Sequence, residues 1–527
     1  MTTLLAAALA GFASLALEIL GVRWLAPWFG TTSLVWSNQI GVVLLAMALG
    51  ATLGGRLARR GASPLRWAAG LLGGAGLLLG LGIVLLPAFC AWLLPPGLRL
   101  EEAAGIALGG SLAGALLFFA PPVLLLSMVA PLLVEIRAAE RGAGRAAGEV
   151  SAAGTLGSLL GVFGSTYLAL PFLGIRLTLA LLAACLILAG SLLSSRRRRL
   201  GALALLPLLP LASGDPAMAA NLPQLEGLET RVLEVLETPY QRLRVVGFSA
   251  PGNLAPAERW LQMNEGVDSY QSRWQPGQVW PGGYYDLFVL APLYALHGAE
   301  AQAPVHFWSL GHAGGAALGP VAAGLGDRQW SAVGVELDAG ALELCGRWMP
   351  SPEQAAARTE LRLGDARLLL RGAPEDLDFL LLDAYSAQFE IPAHLATAEF
   401  FSETRQHLRT GGVLAVNLGA SSEAGTAGGA VGGIIAGLRL AYEDRVRLHQ
   451  VPFSRNVLVF ARKDLPLPPL EELWAAMPDD VPRLVGGAAM PGQVREGDDL
   501  PTGTPFRDDL NAIAVVQARE WVAEAGR

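Results

Sequence analysis

Six apolar runs, each longer than about 20 residues, fill the first 212 positions, and segments of that length suit a lipid bilayer better than a water-surrounded core. They are Thr3–Leu25, Ser33–Leu57, Leu65–Leu94, Gly105–Val134, Gly148–Leu170 and Leu173–Leu193. Charge divides the chain at the same place. Up to Gly214 there are 14 Arg, no Lys, six Glu and no Asp; the remainder carries 24 basic and 39 acidic residues. A basic, apolar half followed by an acidic half predicts a multi-pass α-helical membrane domain joined to a soluble domain. The acidic half lacks a basic patch, which argues against nucleic acid as a partner.

The first run is too long for a cleaved signal peptide, and no cleavage signal follows it. Glu18 and Arg23 lie within it. Charges at membrane depth are costly, so they are expected to face a bundle interior, either as a polar site or as a structural pair. Gly50, Gly54 and Gly55, and then Gly154, Gly157, Gly161 and Gly164, are spaced for close helix packing, within the chain or between copies. Pro121, Pro122 and Pro131 are expected to kink the fourth run. Arg56, Arg59, Arg60 and Arg66, then Arg137, Arg141 and Arg145, then Arg196–Arg199 fall on one side of the bilayer, the cytoplasmic one by the positive-inside rule. A shorter apolar segment, Leu200–Ala212, contains Pro207 and Pro210. A full crossing would put the acidic half outside the cytoplasm. A partial one would leave it inside, and the segment's length favours the partial crossing.

In the acidic half, residues 213–228 read as a linker and 229–300 as a small β region with a lead-in helix. Residues 301–527 read as an α/β doubly wound, Rossmann-like domain. Arg231–Phe248 alternates as a strand pair, Arg259–Asn264 continues the β region, and Tyr284–Leu296 is expected to be helical. Val305–Leu310 is a short apolar strand, Gly311 to Gly315 a Gly-rich turn, Ala316–Leu325 a crossover helix, and Ser331–Val335 a second strand ending at Glu336. Ala313 takes the place where a pyrophosphate-binding turn has its second glycine, which favours a nucleoside without phosphates. Leu377–Asp383 is a nearly continuous apolar strand ended by a carboxylate, and Leu408–Leu418 carries Asn417 near its end. Strand ends gather at one edge of a parallel sheet, so Gly311, Glu336, Asp365, Asp383 and Asn417 are expected to converge. Cys90, Cys185 and Cys345 and the six His show neither metal-ligand spacing nor a disulfide framework.

Several stretches together resemble spermidine synthase, and more closely its membrane-fused relatives. They are residues 11–30 and 151–174 in the membrane half, then ETPYQRLRVV (237–246), YYD (284–286), SLGHAGG (309–315), VELD (335–338), GDA (364–366) and LLLDAYS (380–386). The resemblance implies an aminopropyltransferase fold with S-adenosylmethionine or its decarboxylated form as substrate, no prosthetic group, and methylthioadenosine as product. It implies that Gln241 contacts the ligand's thioether chain, Glu336 the ribose hydroxyls and Asp365 the adenine amino group. Asp383 would accept the proton of an attacking amine, and Tyr284 would line the acceptor pocket. Three positions depart from the family pattern: Gly314 and Ser386 stand where carboxylates are usual, and Asn417 where a Gln is usual. Loss of the carboxylate at Gly314 removes a device that repels a ligand carboxylate. This sequence therefore points first to intact S-adenosylmethionine cleaved without an acceptor, a lyase, and next to aminopropyl transfer to a polyamine. A transporter or a ligand sensor with a degenerate nucleoside site is the reading from another class, and methyl transfer a lesser one. The implied location is the cell inner membrane, with the soluble domain cytoplasmic.

Overall fold

The computed structural model describes the chain except residues 60–62, 96–99, 194–200, 214, 217–220, 254, 300–302, 387–389, 420–428, 491 and 526–527, and the side chains of 100–105, 518 and 521–525. Arg60, Arg196–Arg199 and parts of the 213–228 linker therefore lie outside the described residues. The chain divides into two compact units. The first is Met1–Pro223 with 237–242 and 264–268, and the second is the remainder.

Among the described residues, the first unit holds five helices long and apolar enough to cross a membrane: α1 (Thr2–Phe29), α2 (Ser33–Ala58), α3 (Pro64–Leu93), α4 (Ile106–Arg141) and α5 (Ala143–Leu193). The expected fifth and sixth runs are thus one helix of 51 residues. It is interrupted at Gly174, whose φ of 69° and ψ of 171° are not helical. The prolines of α4 leave it one helix of 36 residues with a local change of winding. A π turn at Ala115–Phe119 precedes Pro121 and Pro122, because a helix lacking two N–H donors must re-pair its carbonyls. Four of the stripe glycines meet neighbouring backbone within the chain, whereas Gly55 faces open space. A Cβ on Gly157 would lie 1.9 Å from the Ala8 carbonyl oxygen, and one on Gly161 would lie 2.3 Å from that of Phe12. Gly50 and Gly54 face the Leu124 and Met128 carbonyls in the same way. Those faces are therefore occupied by neighbouring helices of the same chain. The short segment forms a 10-residue 3-10 helix, Leu203–Ala212. At about 2.0 Å per residue it is shorter than the ~30 Å hydrocarbon core.

The second unit begins with a sheet of order β1-β2-β3-β4: Glu229–Glu237, Arg242–Ser249, Glu258–Met263 and Ser272–Trp274. The lead-in segment starts as a 3-10 helix, Gly283–Val289, and becomes α6, Leu290–Leu296. The main sheet has eight strands in the order β12-β10-β11-β9-β8-β5-β6-β7. β5 (Val305–Leu310), β6 (Trp330–Glu336), β7 (Thr359–Leu363), β8 (Leu377–Leu382) and β9 (Leu408–Gly419) run parallel. β10 (Val446–Gln450), β11 (Asn456–Arg462) and β12 (Val494–Glu496) close it antiparallel. The order reverses between β5 and β8, which makes this the switch point of a doubly wound sheet.

Period-2 alternation gives both faces of the sheet a core. Phe307, Phe379, Leu381 and Ala415 pack with Tyr285, Phe288 and Leu318, the last from α7 (Leu318–Leu325). Trp308, Leu380, Leu382 and Val416 pack on the other face with Phe400 of α9 (Ala398–His407) and Ile435 of α10 (Ala430–Tyr442). α8 (Ala339–Trp348) follows β6 and is capped by the Asp338 carboxylate, which accepts from Gly340 N–H.

Candidate active site

The switch point places the end of β5 beside the end of β8, with Leu310 in register with Leu382. Asp383 N–H donates to the Leu310 carbonyl at 2.9 Å, so the two chains stay together one residue past the strands. This contact requires glycine at 311: its φ is +87°, and a Cβ there would lie 2.4 Å from the Asp383 carbonyl oxygen. Asp383 is thereby held over the sheet edge. Tyr284 Oη donates to its Oδ2 at 3.1 Å and Asn417 Nδ2 donates to its Oδ1 at 2.7 Å. Protein surrounds the carboxyl, although part of the residue is open to a cleft. Burial pushes the carboxyl up to about 6, and the bonds from Asn417 and Tyr284 pull it back. Burial likewise raises the Tyr284, Tyr285 and Tyr385 phenols, with Asp383 adding to each.

The cleft runs from Asp383 along the Gly-rich turn and is lined also by Gln271, Ser272, Tyr285, Phe288 and His312. The turn is tied down at both ends. Ala313, at a φ of +43°, donates its N–H to Glu336 Oε2 at 2.8 Å, and Gly314 donates to Ser272 Oγ at 2.9 Å. Glu336 Oε1 accepts from Leu337 and Asp338 N–H, so three backbone donors hold this carboxylate. Burial raises the Glu336 carboxyl against those bonds. A carboxylate has about four lone-pair sites, which leaves Glu336 one acceptor position.

The expected convergence is partly realised. Gly311, Asp383, Asn417 and Tyr284 form one contiguous group, and Gly314 and Glu336 form the adjoining turn. Asp365, at the end of β7, caps the short helix Ala366–Leu370 by accepting from Leu368 N–H at 3.0 Å, and its other oxygen lies 2.8 Å from His394 Nε2. Ser386 turns into its own loop, its hydroxyl donating to the Glu390 carbonyl at 2.9 Å. Gln241 belongs to the first unit, in a turn where its N–H donates to Thr238 Oγ1 at 3.0 Å. Glu18 is half-buried on α1, and the Arg23 guanidinium donates to the Pro239 carbonyl.

Two residues of this group went unread in the sequence. His312 is buried, and burial pushes its imidazole down to about 4, so it is neutral at ordinary pH. A Cβ on Gly334 would sit 2.5 Å from its Nδ1, an atom with no hydrogen-bond partner among the described residues. A histidine inside a Gly-rich turn was the available signal. The second is Asn456, whose Nδ2 donates to Asn417 Oδ1 at 2.9 Å.

No family model matches the chain. A 73-residue stretch is 40% identical to a polyamine aminopropyltransferase of Vibrio vulnificus, covering 13% of this chain and 24% of that one. A 90-residue stretch is 32% identical to a probable polyamine aminopropyl transferase of Bifidobacterium longum, covering 17% and 19%. The matches thus span about a quarter or less of these relatives' length. A probable spermidine synthase from Corynebacterium glutamicum superposes with a TM-score of 0.37 at 20% identity, covering 51% of this chain and 96% of that one. The spermidine synthase of Thermotoga maritima does so with 0.34 at 15%, covering 49% and 84%. The chain is therefore similar in part to polyamine aminopropyltransferases, on a Rossmann-like α/β unit that follows five long apolar helices.

Proposed function

We propose that this is a membrane-embedded enzyme that breaks a sulfur–carbon bond of a sulfonium nucleoside, S-adenosylmethionine or its decarboxylated form, and releases 5′-methylthioadenosine. The reading that the geometry supports best is aminopropyl transfer to an amine. The observation that carries it is the Asp383 carboxyl at the switch point, raised to about 6 and held by Tyr284 and Asn417. The stretches similar to polyamine aminopropyltransferases support the same class.

A sulfonium is already activated, so the protein has to position and desolvate it. The lone pair of a neutral amine attacks the chain carbon bonded to sulfur. The carbon–sulfur bond breaks and its electron pair stays on sulfur, giving the neutral thioether of methylthioadenosine. The proton lost by the nitrogen goes to Asp383. Glu336 would accept from the ribose and Asp365 from the adenine amino group. Tyr284 would line the acceptor pocket.

A second reading, cleavage of intact S-adenosylmethionine by its own carboxylate to give a homoserine lactone, is favoured by Gly314. A side chain there would begin 2.9 Å from Ser272 Oγ, so a ligand-repelling carboxylate has no room. In that reading Asp383 orients the ligand's amine. Mass spectrometry of the detergent-purified chain with either nucleoside, with and without putrescine, tests both. Methylthioadenosine only with the decarboxylated nucleoside plus amine supports transfer, and methylthioadenosine from intact S-adenosylmethionine alone supports the lyase. S-adenosylhomocysteine, or no product, overturns both.

A further inference from the structure

Asp383 is the last member of a hydrogen-bonded chain that starts on a different strand. Asn456 opens β11 and lies diagonally across from Asn417 on β9, because Asn417 is in register with Leu458. Asn456 Nδ2 donates to Asn417 Oδ1 at 2.9 Å, and Asn417 Nδ2 donates to Asp383 Oδ1 at 2.7 Å. Behind Asn456 stands Ser454, in the β10–β11 loop. Its Oγ accepts from the Asn456 backbone N–H at 3.2 Å and donates to Asn456 Oδ1 at 3.0 Å.

The direction of the chain is set by its two ends. An ionised carboxylate only accepts, so Asn417 must present its NH2 to Asp383 and its carbonyl away. The Ser454 oxygen already accepts a backbone N–H, so its own proton is free for the Asn456 carbonyl. That turns the Asn456 NH2 toward Asn417. Each amide has one orientation that satisfies both neighbours, and successive bonds of one sense strengthen each other. The Asn417 backbone is pinned separately: Tyr385 Oη donates to its carbonyl at 3.2 Å and accepts from Gly419 N–H at 2.6 Å.

We propose that Asn456 and Ser454 are positioning residues that lock the Asn417 amide with its NH2 toward Asp383 and so keep this carboxylate ionised and aimed. The inference rests on the reading of Asp383 as the base of the proposed reaction. If the Asn417 amide reverses, its carbonyl oxygen meets the carboxylate oxygen, and the protonated form of Asp383 is favoured. The other titratable or charged groups are common to every variant compared. They are Tyr284, Tyr285 and Tyr385 against the carboxyl, His312 in the same cleft, and Arg455 in the hairpin loop.

The test reads the carboxyl directly. Infrared difference titration of the full chain in detergent tracks the carbonyl band of protonated Asp383, assigned by its loss in Asp383→Asn. Asn456→Leu is expected to raise the titration midpoint by about one pH unit, because the Asn417 amide can then reverse and its charge-assisted bond to Asp383 is lost. Ser454→Ala, the milder change should Asn456→Leu fail to fold, is expected to raise it by less. Asn417→Leu is the positive control. In the turnover assay the acidic limb of kcat is expected to move up in step, while a merely structural role would lower the unfolding temperature and leave the midpoint in place. A midpoint equal to wild type in both Asn456→Leu and Ser454→Ala, with Asn417→Leu shifted, overturns the proposal. If the wild-type chain releases no methylthioadenosine, the reading of function fails and the infrared result still decides the relay.

Discussion

Asp383 is stabilised in the folded state when it is protonated, because burial raises its carboxyl to about 6. This one group therefore adds stability at low pH that is lost as pH rises through about 6. The proposed transfer needs the opposite state. Turnover is expected to rise with pH through the same range, which the kcat–pH profile of methylthioadenosine release measures. Asp383→Asn is expected to reduce kcat roughly 100- to 10,000-fold. It is also expected to stabilise the chain at neutral pH by about 2 kcal/mol, since no buried charge remains. Thermal unfolding of the two proteins at one pH checks this, and a less stable Asn variant would refute the burial argument. Asp383 and Asn417 were legible because each falls at or near the end of a strand in an ordered series, and Tyr284 was named through the resemblance of the YYD stretch. Asn456 was not: it reaches the site across an antiparallel pairing that only the folded sheet supplies. Sequence spacing also does not show that the Ser386 hydroxyl turns to the Glu390 carbonyl.

At the scale of elements, the Gly-rich turn works as a fitted part held by several partners. Gly311→Ala meets both an unfavourable φ and the Asp383 carbonyl, and is expected to destabilise by about 3 kcal/mol or more. Gly326, which ends α7 at a φ of +57° with open space around it, is the control. Gly326→Ala is expected to cost about 1–2 kcal/mol, from backbone strain alone. Gly334→Ala drives a methyl into the His312 ring, so combining it with His312→Ala should recover much of the loss. A double-mutant cycle in denaturant tests this, and simple additivity would mean that the ring can move aside. The strand–turn–strand pattern and the acidic strand end were readable from residue periodicity. The support of the turn was not. Ser272, which receives Gly314 N–H, comes from β4 of the smaller sheet, 42 residues upstream, and no local pattern announces it.

For the whole molecule, we propose that the break at Gly174 sets the side of a membrane on which the chain emerges. A continuous 51-residue helix would be about 76 Å long, more than twice the ~30 Å hydrocarbon core. Broken at Gly174, it becomes two segments that can each cross, so six crossings are expected in all. An even number returns the chain to the side on which it started, and the 3-10 helix Leu203–Ala212 is too short to add a seventh. Arg56, Arg141 and Arg145 are then expected on one side, the cytoplasmic one by the positive-inside rule. Thr32 and Gly174 lie at the opposite ends of their helices. With Cys90, Cys185 and Cys345 replaced by Ser, single cysteines report each position to a membrane-impermeant maleimide. Thr32→Cys and Gly174→Cys are expected to react in intact cells, and Arg56→Cys and Arg141→Cys only after the membrane is opened. Labelling of Arg141→Cys in intact cells would reverse the arrangement. Protection of Gly174→Cys with Thr32→Cys still labelled would leave four crossings, with Gly174 turning back inside the bilayer.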